Sequence, residues 1–112
     1  MSSLYAQYLK DREEYEIVEN EFGFATYKVF ENEVYIRDIY VVPEKRKVGM
    51  AKTMADQVCF YAKQKGAQKL IGSVDITASG ATDSLKVLLA YGMSIQSLNG
   101  SMIYLFKMIE GA

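Results

Sequence analysis

Histidine is absent from this chain and cysteine occurs once, as Cys59. The usual zinc, haem and iron–sulfur ligand sets are therefore missing, and no metal cofactor is expected. The same shortage removes any Ser-His-Asp or Cys-His nucleophilic arrangement. A lone thiol cannot close an intramolecular disulfide, so nothing points to an oxidising compartment, and a cytoplasmic protein is expected. No apolar run reaches the ~20 residues that cross a bilayer. The start of the chain, followed by Lys10-Asp-Arg-Glu-Glu14, does not read as a signal peptide. Thirteen basic against fourteen acidic residues leave a net charge of -1, without the basic excess of a nucleic-acid or anionic-membrane binder.

What is present is an ordinary globular composition, half apolar and about a quarter charged, over 112 residues. That length builds one core, so residues 1–112 are expected to form a single domain. Ser2 or Ser3 can cap a first helix carrying Leu4, Tyr5, Tyr8 and Leu9 on one stripe. Three strands follow as an antiparallel meander: Tyr15 to Glu19, Phe22 to Phe30 and Val34 to Val42, joined by short polar turns. Pro43 closes the third. A helix from about Gly49 to Lys65 buries Ala51, Met54, Ala55, Val58 and Ala62, and Gly66 sits where a C-terminal cap glycine belongs. Lys69 to Ile76 is apolar enough for a central strand. Thr82 or Asp83 can cap a short helix with Leu85, Leu88 and Leu89, and a hairpin about Asn99-Gly100 ends the chain. The order helix-β-β-β-α-β-α-β-β gives an α/β (α+β) fold with a mixed sheet and helices on its faces.

The segment Lys45-Arg-Lys-Val-Gly-Met-Ala-Lys52 carries the chemistry. The first N–H groups of a helix lack intrahelical partners, and the helix dipole places partial positive charge there. Gly49 admits close backbone approach, Ala51 keeps the next turn small, and Lys45, Arg46, Lys47 and Lys52 add cations. Such a terminus favours a phosphate or pyrophosphate, although a solvated basic loop has the same composition. The P-loop and dinucleotide-binding glycine patterns are both missing.

The run from Val34 to Ala51 resembles the signature segment of the GCN5-related N-acetyltransferases (GNAT), in which a strand ending in V-x-P leads into R/Q-x-x-G-x-G/A and a long helix. Arg46, Gly49 and Ala51 fill the three defining positions. Gly23-Phe-Ala-Thr-Tyr27 is similar to the family's strand three, and Leu88-Leu-Ala-Tyr-Gly-Met93 resembles its Y-x-x-x-G-F segment. The resemblance covers residues 15 to 109 in the family's element order. It implies a GNAT-like acyl-CoA N-acyltransferase fold with acetyl-CoA lying where two strands splay apart. The main chain of Ile39, Tyr40 and Val41 would pair with the pantetheine, as a strand added to an edge. Backbone N–H groups of Lys47, Val48, Gly49, Met50, Ala51 and Lys52, beside Arg46, would hold the pyrophosphate. The acceptor implied is a primary amine on a small molecule or a protein.

The catalytic groups depart from that pattern. The strand positions where the family often keeps a glutamate base hold Tyr35 and Arg37, leaving Asp38 as a weak candidate. Regular pairing would point Asp38 away from Arg37, and a structural partnership with a lysine or arginine is its alternative role. The family's tyrosine acid is Leu88 here, and Tyr91 should project from another side of its helix. A catalytically weak or inactive GNAT-fold protein, acting as a CoA-binding or interaction module, is the alternative function. The front end is shorter than the family's, which suits an exposed amine or a wall supplied by a second subunit in a homodimer. Most of the tyrosines, and Cys59 beside the buried stripe, read as packing.

Overall fold

Ser3 caps the first helix of the computed structural model, which describes residues 3–46 and 49–110: its hydroxyl accepts the Ala6 N–H at 3.0 Å. Helix α1 (Leu4–Tyr8) runs into a π-helical turn over Leu9–Glu13 and stops at Glu14, whose φ of 60° is left-handed. Leu9 is fully buried and Tyr5 meets the Phe24 ring edge-on at 5.8 Å. Strands β1 (Glu16–Asn20), β2 (Gly23–Phe30) and β3 (Glu33–Val41) form the expected meander. A 3-10 turn at Pro43–Lys45 then leads towards α2 (Met50–Gln64), β4 (Lys69–Asp75), α3 (Ala81–Ala90), β5 (Ser94–Asn99) and β6 (Met102–Met108). The strands make one mixed sheet in the order β1-β2-β3-β4-β6-β5, with β3 and β4 parallel and every other neighbour antiparallel.

Both ends of α2 follow from glycine. Gly66 takes φ 95°, and the Gly66 and Ala67 N–H groups return to the Lys63 and Ala62 carbonyls at 3.0 Å each, a Schellman closure. One cap differs from expectation. Gly80, at φ 79°, precedes α3 and no side chain caps it; Thr82 and Asp83 lie inside the first turn, because the left-handed glycine brings the helix start forward.

Helices α2 and α3 share one face of the sheet. Met54, Val58 and Ala62 of α2 join Ala25, Tyr27, Val34, Val41, Leu70 and Leu105 in the core, with Leu85 and Leu88 of α3 packed against it. Full burial of a side chain such as Met54 contributes roughly 1.5–3 kcal/mol. Ala51, the top of the α2 stripe, is half-buried. The α1 segment covers the other face over β1 to β3, since Phe24 and Thr26 alternate with the core-facing Ala25 and Tyr27. Among the described residues no helix is long and apolar enough to cross a membrane.

Candidate functional site

The centre of the sheet forks. Parallel pairing between β3 and β4 covers Glu33↔Lys69, Val34↔Leu70 and Tyr35↔Ile71, then stops. Residues 36–41 and 72–75 continue as two arms with no ladder between them. A β-bulge explains the parting. The β2–β3 register slips between Thr26 and Tyr27, which pair with Asp38 and Ile36, leaving Arg37 as the extra residue on β3. A bulge bends its strand and increases local twist, turning the far half of β3 away from β4. Ile39, Tyr40 and Val41 all lie on that arm. Ile39 packs on the core, Tyr40 is exposed and Val41 is buried.

Polar bonds hold the bulge. The buried Thr26 hydroxyl donates to Asp38 Oδ2 and accepts the Asp38 N–H, each at 3.2 Å. Arg37 reaches the same Oδ2 with Nε at 3.1 Å and Glu13 with Nη1 at 2.7 Å, and lies 4.3 Å from the Tyr15 ring centre. The Glu13 hydrogen bond, followed by Asp38, holds the Arg37 guanidinium protonated beyond its ordinary range despite some burial. Regular pairing would separate Arg37 from Asp38; the bulge corrects that expectation by bringing their side chains together. Asp38 is engaged as a structural partner of Thr26 and Arg37, which is the alternative role the sequence left open for it.

Beyond the arm, Arg46 folds back, donating from Nε to the Val41 carbonyl at 2.8 Å and lying 5.6 Å from the Tyr40 ring centre. Lys47 and Val48 lie outside the described residues. Gly49 is the N-cap of α2, with φ 83°; among the described residues no side chain caps it, and a Cβ placed there would meet nothing within 4 Å. Thr53 is the residue whose N–H returns to the Gly49 carbonyl, at 3.0 Å, so the amides of Met50, Ala51 and Lys52 belong to the open first turn. The described basic residues around it are turned elsewhere. Lys45 lies over the Phe22 ring at 4.7 Å, and Lys52 pairs with Asp56 at 3.0 Å. What the described residues leave for an anion is mainly backbone, on the dipole's positive end.

Lower between the two helices, Tyr91 donates its hydroxyl to Asp56 at 2.5 Å, while Lys107 Nζ bonds the Tyr91 carbonyl at 3.1 Å. These residues and Cys59 line a depression of about 250 Å³. Burial pushes the Cys59 thiol up, the state of a packed cysteine rather than a nucleophile. Burial, then the bond to Asp56, pushes the Tyr91 phenol well above its usual range. Burial works to raise the Asp56 carboxyl, but the Tyr91 hydroxyl and Lys52 ammonium outweigh it and leave it lowered. A depressed carboxyl stabilises above its unfolded pKa and loses that contribution as pH falls through the folded value. A raised phenol stabilises below pH 10 and loses it as pH climbs through its folded value. Tyr91→Phe should therefore lower the urea midpoint at neutral pH and flatten its decline at both extremes. An unchanged pH profile would show that this bond does not couple α2 to α3.

Compared with known proteins, residues 3–92 match the Acetyltransferase (GNAT) family. No curated protein sequence matches the chain. Solved structures do, through their fold. A GNAT-family protein from Desulfovibrio desulfuricans has a TM-score of 0.75 at 15% identity, covering 92% of this chain and 75% of its own. The PaiA N-acetyltransferase from Thermoplasma acidophilum, crystallised with coenzyme A, has 0.73 at 17%, covering 89% and 65%. A GNAT family acetyltransferase from Elizabethkingia anophelis with acetyl-CoA bound has 0.70 at 20%, covering 96% and 83%.

Proposed function

The chain belongs to the GNAT acetyltransferase family, and from that premise we propose that it transfers an acetyl group from acetyl-CoA to a primary amine of a small molecule or a protein. The observation that carries this reading is the open, left-handed N-cap at Gly49 standing beside the arm of β3 that leaves β4. An unpaired strand edge can add the amides of an extended chain, and an uncapped helix start can take its phosphates. Both lie at the same handover from β3 to α2, which suits a long ligand ending in a pyrophosphate.

In this reading Ile39, Tyr40 and Val41 offer main-chain groups to the pantetheine, and Arg46 and residues 47–52 surround the diphosphate. The Val41 carbonyl already accepts from Arg46, and its second lone pair is what it has left to offer a ligand amide. When bound, acetyl-CoA supplies an acyl group activated as a thioester, and no metal is required for its transfer. The chain's own contribution is to orient the donor in the fork, keep water from its reactive end and bring an amine to it. The single half-buried thiol suits a reducing, cytoplasmic setting.

A second reading, a CoA-binding or interaction module without turnover, is favoured by Leu88. That side chain packs near Gly72 beside Met93, and a leucine has no proton to give. Two measurements separate the readings. Acetyl-CoA should raise the melting temperature saturably, and free thiol should then appear with at least one member of a panel of primary amines. Stabilisation without thiol release supports a CoA-binding module; no stabilisation defeats every reading that binds the cofactor and leaves only an interaction module.

A further inference from the structure

At the crotch of the fork stand two hydroxyls. Tyr35 is the last β3 residue paired with β4, opposite Ile71, and its phenol reaches Ser73, two residues further along the other arm, at 2.7 Å. Both side chains are half-buried and lie on the sheet face opposite α2, since they alternate with the core-facing Val34, Leu70 and Val74. The bond thus crosses between the arms where the backbone ladder has ended. Either oxygen can be the donor in it.

Acyl transfer to an amine needs one proton moved. As the nitrogen attacks the thioester carbon, the new C–N bond forms and the C–S bond breaks; nitrogen must shed a proton and the departing sulfur must gain one. The amine's lone pair becomes the C–N bond, and the C–S pair leaves on sulfur. Asp38 is engaged by Arg37 and Thr26, and the apolar Leu88 packs against the core. Neither supplies a mobile proton at the fork.

We infer that the Tyr35–Ser73 hydroxyl pair is the catalytic proton relay of this chain, carrying the amine's proton to the leaving sulfur across the crotch of the fork. Ser73 takes the amine's proton and passes its own to Tyr35, whose phenol, the stronger acid of the two hydroxyl types, gives its proton to the sulfur. Each oxygen gives one proton and takes one, so the pair is regenerated and neither is left charged. The placement makes this economical, because the fork that receives the thioester opens directly above the pair. The inference rests on the acyl-transfer reading above.

The test uses Tyr35→Phe, Ser73→Ala and Ser73→Thr in the full chain. For Phe and Ala, kcat should fall by about 10²-fold, within the range for losing an acid–base group, while the acetyl-CoA-induced melting shift stays that of wild type. Ser73→Thr keeps the hydroxyl and should recover most of kcat. The double variant should be no slower than either single, because one relay can be broken only once. A second readout needs no turnover. A hydrogen bond to a thiolate lowers its pKa, so the thiol of bound CoA, followed by thiolate ultraviolet absorbance, should titrate about one pH unit higher in Tyr35→Phe. The relay is overturned if wild type turns over and Tyr35→Phe stays within threefold of it, or if the thiol titration is unmoved. It is equally overturned if Tyr35→Phe loses the acetyl-CoA melting shift together with kcat, which makes the pair a strut. A wild type that neither binds acetyl-CoA nor releases thiol brings down the acyl-transfer reading itself.

Discussion

Gly49→Asp should weaken acetyl-CoA binding by about 10²- to 10³-fold. The glycine holds φ 83° at the start of α2, and no described residue lies within 4 Å of where a Cβ would go. A carboxylate there would face the region assigned to the pyrophosphate. Two unit charges of like sign about 4 Å apart cost about 4 kcal/mol at the effective dielectric of a protein surface, equivalent to roughly 10³-fold, less what salt screens. Gly49→Asn is the control, since asparagine also tolerates left-handed backbone and matches aspartate in size. It should lose less than tenfold. Calorimetric titration of the two variants isolates the charge. Equal affinities for both would mean that no phosphate lies near residue 49.

Gly23→Ala should cost about 2–3 kcal/mol of folding stability, in the range of overpacked sites. Gly23 opens β2 opposite Val41, and a Cβ there would collide with the Tyr40 carbonyl oxygen and touch the Val41 Cα. Those atoms are main chain and cannot swing aside as a flexible side chain would. The strands must separate where the Val42 N–H bonds the Phe22 carbonyl at 2.8 Å. At 4–8 °C per kcal/mol for a domain near this size, the melting temperature should drop by about 10–20 °C. Because the displaced residues, Tyr40 and Val41, belong to the free arm of the fork, acetyl-CoA stabilisation should shrink as well. A melting temperature within about 3 °C of wild type would show that the end of the hairpin yields without strain.

Much of this was legible in the chain. Pro43 after an apolar strand, Gly49 ahead of an apolar stripe and Gly66 beyond it bracket the strand-to-helix handover, and each acts over a few residues. The bulge was legible too, although regular alternation was expected. Val34, Ile36, Ile39 and Val41 are the core-side apolar residues of β3, and their spacing breaks from two to three between Ile36 and Ile39. An extra residue at Arg37 is the simplest way to keep all four on one face. The Thr26–Asp38 pairing then follows by counting back from the turn at Glu31 and Asn32. The loop cations were harder to place. Lys45, Arg46 and Lys52 look like a ring of charge in sequence, yet one lies on an aromatic ring, one bonds a carbonyl and one pairs with Asp56.

The sequence by itself determined the order of elements, the meander, the glycine-started helix and the apolar faces, because caps, turns and hydrophobic period operate between near neighbours in the chain. Only the tertiary structure decided that Tyr35 meets Ser73, that Glu13 reaches Arg37 and that Tyr91 bonds Asp56. Those partners lie far apart along the chain. The parallel register of β3 on β4 has no tight turn to set it, and comes from how α2 packs across the sheet between them.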